Sequence, residues 1–282
     1  MQRYWQNIGN VGAAELKPVR IQLHSAAQLV AAVGKALANP QPDDSHTSLE
    51  WDSERNAFAG VKIEKPPVQA LLEVLTMTLS IVEGESKTAR NIELRGHTLG
   101  EGFEWLRATL KALGAEARLN EAGDRSQLPD GVFGETERFD GTALAELSEW
   151  ARHYGNAHLM LQEVSTARPG FSAIRVWPHH FDIASLCVLK PEGSEQKTIG
   201  VGLSPGDGSY DEPYWYVTPW PYPDAKNLEL LDGAGSWHTQ GWVGAVLPVS
   251  KIPSNGAKDQ ARQVRAFLQS AIRICERVLK TN

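Results

Sequence analysis

Apolar positions recur three and four residues apart over residues 25–38, SAAQLVAAVGKALA, where Leu29, Val30, Val33 and Leu37 fall on one stripe. That spacing predicts a helix with Ser25 as its cap, ended by the proline-rich NPQPDD. The pattern then changes to the two-residue period of strands in TSLEWD, AFAGVKI and VQALLEVLTMTLSIVEG. Within the last, Leu75, Met77, Leu79 and Ile81 alternate with Thr76, Thr78 and Ser80, as in a sheet with one covered face. RNIELRG repeats the alternation more briefly. Thr98 and Glu101 have capping-box spacing, and Phe103, Leu106, Leu110 and Leu113 form a stripe that stops at Gly114. Residues 115–140 have no period and read as a long loop and domain junction. A helix is predicted over 142–164, with Leu144, Leu147, Ala151 and Tyr154 at helical spacing. Strand patterns follow in AIRVWP, FDIASLCVLK, KTIGVGL, PYWYVTPW and WVGAVLPVS. A last helix covers 257–280, with Val264, Phe267, Ala271, Ile274 and Val278 inside.

This order predicts an α+β protein: antiparallel sheet with helices packed on one face. It also allows two similar sheet-plus-helix halves, 1–114 and 142–282, joined by the 115–141 loop, although they share no motif. Strands and helices do not alternate one for one, which argues against a parallel nucleotide-binding sheet. Neither G-x-G-x-x-G after a strand nor G-x-x-x-x-G-K occurs.

Composition narrows the function classes. The chain has 282 residues, 41% of them hydrophobic and 22% charged, as expected for a globular protein with a full core. A net charge of −6 without a basic run speaks against nucleic acid as a partner. The first residues have no apolar h-region, and no apolar run reaches a membrane-spanning length. Cys187 and Cys275 read as small buried hydrophobes, which fits a reducing cytoplasm. Of nine tryptophans, five (Trp177, Trp215, Trp220, Trp237 and Trp242) fall in the C-terminal part.

Three stretches carry candidate chemistry. In WPHHFD, residues 177–182, an extended run would put His180 and Asp182 on one face. With His238 from SWHTQGW they would make a two-histidine, one-carboxylate set for a divalent metal. The alternative is Asp182 accepting backbone N–H bonds and the histidines flanking a pocket or the surface. In SPGDGSYDEPYWYVTPWPYP, Asp207, Asp211 and Glu212 sit in a turn-rich loop without the register of a calcium-binding EF-hand. Tyr214 and Tyr216 then face one side and Trp215 the other. Pro219, Pro221 and Pro223 place the segment at a sheet edge or outside the sheet. In PDDSH, Asp43, Asp44 and His46 read as a solvated turn before a strand, or as groups reaching a site. No nucleophile motif occurs, and nothing singles out one of Arg20, Arg95 and Arg175, all in strand-like contexts, as an anion clamp.

The chain resembles a bacterial family of proteins of unknown function. The likeness lies in QLHSAAQLV, a W-x-x-x-F-D-[IL]-A strand from Trp177 to Ala184, PYWYVTPWPYP, the strand end Leu247-Pro248, and the FLQSA-type helix at 267–271. The resemblance implies one coherent fold, with Trp177, Phe181 and Asp182 at pattern positions. It implies no activity, and the pattern does not include His180.

The leading expectation is a soluble cytoplasmic protein with a small-molecule pocket. Trp177, Tyr214, Trp215, Trp220, Trp237 and Trp242 would wall it, and His180, Asp182 and His238 would supply polar contacts. One alternative is a metal-dependent oxygenase or hydrolase using His180, Asp182 and His238. Another is an interaction protein presenting exposed Trp and Tyr. The sequence leaves open whether the protein is an enzyme and how it oligomerises.

Overall fold

The computed structural model of the chain describes residues 4–84, 88–116, 118–119, 133–134, 136–140, 142–189 and 196–281. It is an α+β fold in which every pairing between named strands is antiparallel. The chain divides into two compact units. The first comprises Ala14–Ala151 and Arg175–Phe181; the second comprises Gln2–Ala13, Arg152–Ile174 and Asp182–Asn282.

In the first unit the strands are β1 (Leu49–Asp52), β2 (Ala57–Gly60), β3 (Ile63–Glu64), β4 (Pro67–Glu73), β5 (Thr78–Glu83), β6 (Thr88–Glu93) and β7 (Arg175–Val176). Their order is β7-β1-β2-β4-β5-β6, with β3 added to β4. Opposed residues share a face, so Trp51, Phe58, Leu72 and Leu79 form one buried row across four strands. The helices are α1 (Ala13–Leu37) and α2 (Leu99–Ala112). Both halves of the capping box on α2 are present: Thr98 Oγ1 accepts from Glu101 N, and Glu101 Oε2 accepts from Thr98 N.

Two expectations change here. Helix α1 begins twelve residues before Ser25, whose hydroxyl donates to Ile21 O instead of capping. Pro18 masks that start, since it lies inside α1, past the first turn, where it supplies no N–H to the helix. Arg20, read as a strand residue, is therefore a buried helix residue. The run LTMTLSI is not one strand either. Residues 74–77 turn between β4 and β5, and Met77 is left-handed at φ 51°. Its alternation crosses a hairpin bend, so only Leu79 and Ile81 belong to the strand. Most of the 115–140 loop, and the junction expected there, lies outside the described residues. Helix α3 (Leu144–Ala167) carries the chain from the first unit into the second.

The second unit has β8 (Ile183–Leu189), β9 (Lys197–Ser204), β10 (Tyr214–Trp220), β11 (Ser236–His238), β12 (Gly244–Pro248) and the C-terminal helix α4 (Ala257–Thr281). The order is β8-β9-β10-β12-β11. Helix α4 packs on β10, β9 and β12, and Val264, Phe267, Ala271 and Ile274 are buried. The Tyr214–Val217 part of β10 is central, between β9 and β12, while its proline-bearing end is one-sided and then leaves the strand, as the prolines predict. From Thr218 to Trp220 it pairs only with β9 among the described residues, and Pro219 falls in that one-sided stretch, where a missing N–H costs no ladder bond.

The N-terminal segment is tied into this unit by side-chain amides. Gln260 accepts from Ile8 N (3.0 Å) and Trp5 Nε1 (3.1 Å) and donates to Ile8 O (2.8 Å). Asn156 accepts from Gln6 N and donates to Gln6 O. The two amides do for an isolated segment what a neighbouring strand would do. Cys187 and Cys275 are free and buried, and burial raises both thiol pKa values, Cys275 to about 12.

Candidate functional site

The stretch WPHHFD divides between the units. Residues 178–180 form a turn closed by Phe181 N donating to Trp177 O at 2.6 Å, and Phe181 is left-handed at φ 59°. An extended run carrying His180 and Asp182 on one face is therefore not what forms. Phe181 is buried against Phe58 (5.1 Å between ring centroids) and stacks on His24 (4.9 Å, 3° between planes). The carbonyl of Pro178 accepts from His24 Nε2 (2.7 Å) and Gln28 Nε2 (2.6 Å). A carbonyl only accepts, so His24 carries its proton on Nε2. Burial lowers the His24 pKa to about 4, with a smaller contribution from Arg20, while the bond to Pro178 opposes the shift. His179 and His180 are exposed, with ring centroids 4.6 Å apart. Trp177 is half-buried beside His179. A helix expected to start at Ser25 leaves out His24, for which the histidine within QLHSAAQLV is the available signal.

In the second unit, the side of the sheet opposite α4 gathers a different set of residues. Register places Tyr216, Gly202 and Ala184 in one row, and Gly244 opposite His238. Glycine at 202 is what lets Tyr216 lie across β9. A Cβ there would come within 2.7 Å of the Tyr216 hydroxyl and 2.6 Å of Ile183 O. Tyr216 thereby reaches Asp182 and donates to Oδ2 at 2.5 Å. Gly244 plays the same part for Trp242, whose ring would meet a Cβ at 2.4 Å. Trp242 stacks on His238, 4.3 Å between centroids. The Tyr214 hydroxyl donates to Asp207 Oδ2 at 2.6 Å, and Asp207 Oδ1 accepts from Ser209 N and Tyr210 N. His238 Nε2 donates to Gln240 O (2.7 Å), while Nδ1 pairs with the Tyr210 hydroxyl (3.1 Å). Tyr210 and Tyr214 are 4.7 Å apart, and Tyr214 and Tyr216 are 6.3 Å apart.

The phenols are held as proton donors. Burial, then the bonded and neighbouring carboxylates, raise the pKa values of Tyr214 and Tyr216 well above the usual tyrosine range. Burial raises Tyr210 as well.

The predicted site residues thus separate. Asp182, Tyr214, His238 and Trp242 belong to this face. Trp215 points the other way, as the alternation along β10 requires, and stacks on Trp5 at 6.1 Å. Trp237 alternates with His238 on β11, lies in register with Ala245 on the helix-covered side, and donates Nε1 to Glu229 O. Trp220 is 54% exposed and meets Tyr222 edge-on. Trp177 and His180 are in the first unit. One wall containing all six aromatics does not form.

Among the described residues no three His, Cys, Asp or Glu side chains are grouped so as to hold a metal ion. Both ring nitrogens of His238 are engaged, and Asp182 Oδ2 is bonded to Tyr216. The acidic loop uses its carboxylates as hydrogen-bond acceptors for neutral donors, since Glu212 accepts from Ser250 N and Oγ while Asp207 pins residues 209, 210 and 214. Asp43 accepts from Ser45 N, Asp44 is left-handed at φ 56°, and His46 Nδ1 accepts from Gln41 N. That is the geometry of a turn before β1. Tyr210 and Tyr216 were the residues missing from the predicted set; the loop reading and the β10 alternation contained them.

A groove of about 540 Å³ lies on the helical side of the second unit, lined by Tyr4, Trp5, Leu159, Met160, Ala261 and the Glu163–Arg265 ion pair. No helix among the described residues is long and apolar enough to cross a membrane. Comparison with protein-family models, with curated proteins and with solved structures returned no match.

Proposed function

We propose that the tyrosine-bearing face of the second unit's sheet binds a small molecule, in a protein that works in the reducing cytoplasm. The observation that supports this most is the pairing of glycine floor and fixed rings. Gly202 and Gly244 leave room over the sheet, and Tyr216 and Trp242 are laid across them. The two rings are half-buried rather than sealed in, and each is held before any ligand arrives, Tyr216 by its bond to Asp182 and Trp242 by its stack on His238. Aromatic surface with a few oriented polar groups is the usual make-up of a ligand site, and rings already ordered lose little entropy on binding.

A ligand-observed NMR screen of a metabolite library tests the reading. Hits should lose their saturation-transfer signal in Trp242→Ala and keep it in Trp220→Ala. Hits indifferent to Trp242, or none, would remove the proposal.

A second reading has its own observation. Leu186, Val188 and Trp220 are exposed, lie on the same side of the sheet, and continue into exposed Tyr222. Such an apolar strip suits a protein partner. Pull-down with wild type beside a Leu186→Glu, Trp220→Glu variant separates this from ligand binding, since these changes leave Trp242 untouched.

A further inference from the structure

We propose that the molecule taken by this face is an organic cation: an ammonium group, methylated or primary, on a small apolar body. The inference rests on the preceding reading that the face binds a small molecule, and it adds the ligand's chemistry.

Charge is the first support. Followed through the register, the strand positions on this side of β8, β9, β10, β11 and β12 include no lysine or arginine. Lys197 of β9 lies opposite Leu189, on the other side, and its ammonium donates to Leu279 O on α4. The loops that border the face, 205–213 and 239–243, carry Asp207, Asp211 and Glu212 and again no lysine or arginine. Among these described positions no cationic side chain is available to pair with an anion.

The state of the carboxylates is the second. Asp207 is held by Ser209 N, Tyr210 N and the Tyr214 hydroxyl, all neutral donors. Its hydrogen-bonding capacity is largely used while its charge remains. Asp182 and Asp207 both act electrostatically on the Tyr214 phenol, so the two charges bear on one place. A neutral polyol would find both Asp207 oxygens already bonded. A cation needs no vacant lone pair to gain from the field.

Ring chemistry is the third. Tyr210, Tyr214 and Tyr216 follow one another at 4.7 and 6.3 Å, and His238 stacked on Trp242 borders them through the Tyr210 hydroxyl. Aromatic faces carry partial negative charge and attract ammonium groups within about 6 Å of the ring centre, Trp most strongly. Of these rings Tyr210, Tyr216, His238 and Trp242 are half-buried and can face a ligand, while Tyr214 is buried.

The test is a titration with choline beside its uncharged isostere 3,3-dimethylbutan-1-ol, read on the Trp242 indole resonance. Choline should bind at least tenfold more tightly than the isostere. Its affinity should fall as sodium chloride is raised, while the isostere's does not. Asp207→Asn should weaken choline at least tenfold and leave the isostere unchanged. The salt arm uses wild-type protein, so the proposal stays testable if that variant fails to fold. Equal binding of the two probes would overturn the cation inference and leave the face as a ligand site. So would no binding of either probe while neutral library compounds shift Trp242. If nothing in the library shifts Trp242, both the cation inference and the ligand-site reading fall.

Discussion

At the scale of single residues, two positions decide how the site is held. Gly202 is there because Tyr216 must lie flat over β9 to reach Asp182. A valine at 202 would press on the ring and on Ile183 O. We expect Gly202→Val to cost about 1–3 kcal/mol in urea unfolding, as overpacking does, and to abolish shifts of Trp242 by any ligand of the face. The phenols give a pH signature. Folded-state pKa values of Tyr214 and Tyr216 lie above their unfolded value near 10. Their contribution to stability is then complete below about pH 10 and is lost as the pH rises above it. In an alkaline titration followed at 295 nm, these two of the six tyrosines should ionise only together with unfolding. Ionisation of all six near pH 10 with the fold intact would contradict the bonds to Asp182 and Asp207. His24 works in the opposite direction. Its folded pKa of about 4 lies below the unfolded value of 6.5, so its stabilisation is present above pH 6.5 and is lost as the pH falls towards 4. Between pH 7 and 4.5 this amounts to about 2.5 kcal/mol. His24→Gln, which can still donate to Pro178 O, should flatten the stability profile over that range by most of that amount.

At the scale of elements, patterning succeeded wherever one period governed a whole segment. The capping box of α2, the stripe of α4 and the opposite facing of Tyr214 and Trp215 on β10 were all legible. Patterning failed where backbone geometry interrupts a period without changing the alternation of side chains. Leu75 and Met77 continue the pattern of β5 through a bend, because a left-handed residue at Met77 leaves the sequence rhythm intact. In the same way the left-handed Phe181 breaks the extended run from Trp177 to Asp182 on which the His-x-Asp reading rests. The start of α1 was hidden by Pro18, and with it the burial of His24. Nor does patterning show the tie between the N-terminal segment and α4, since it depends on one amide 252 residues from its partner Ile8. Gln260→Leu removes three hydrogen bonds, to Trp5 Nε1, Ile8 N and Ile8 O. At about 1 kcal/mol each plus the desolvation of unpaired groups, it should cost about 3–5 kcal/mol. The amide of Ile8 should then exchange its hydrogen far faster, while that of Leu99 in α2 does not.

At the scale of the whole molecule, the α+β class and the antiparallel sheets were readable from strand and helix order. Two halves were allowed for, but the boundaries of the two units were not legible, because they depend on contacts. The division cuts α3 after Ala151 and separates Phe181 from Asp182, neighbours in sequence that serve different cores. Much of the candidate site was named in advance, as Asp182, Tyr214, His238 and Trp242. What sequence could not supply was the choice of face, which excludes Trp215 and Trp237 and brings in Tyr210 and Tyr216. Function on this account belongs to the second unit, which carries every residue named for the face.

The most direct measurement of that claim is a ¹⁵N-HSQC experiment following the tryptophan indole N–H signals while a library hit is added. The account predicts that the Trp242 signal moves in a saturable way while those of Trp5 and Trp215, stacked on the helix-covered side, stay in place. Movement of Trp5 with a silent Trp242 would put the ligand in the groove between α3 and α4 and contradict the claim.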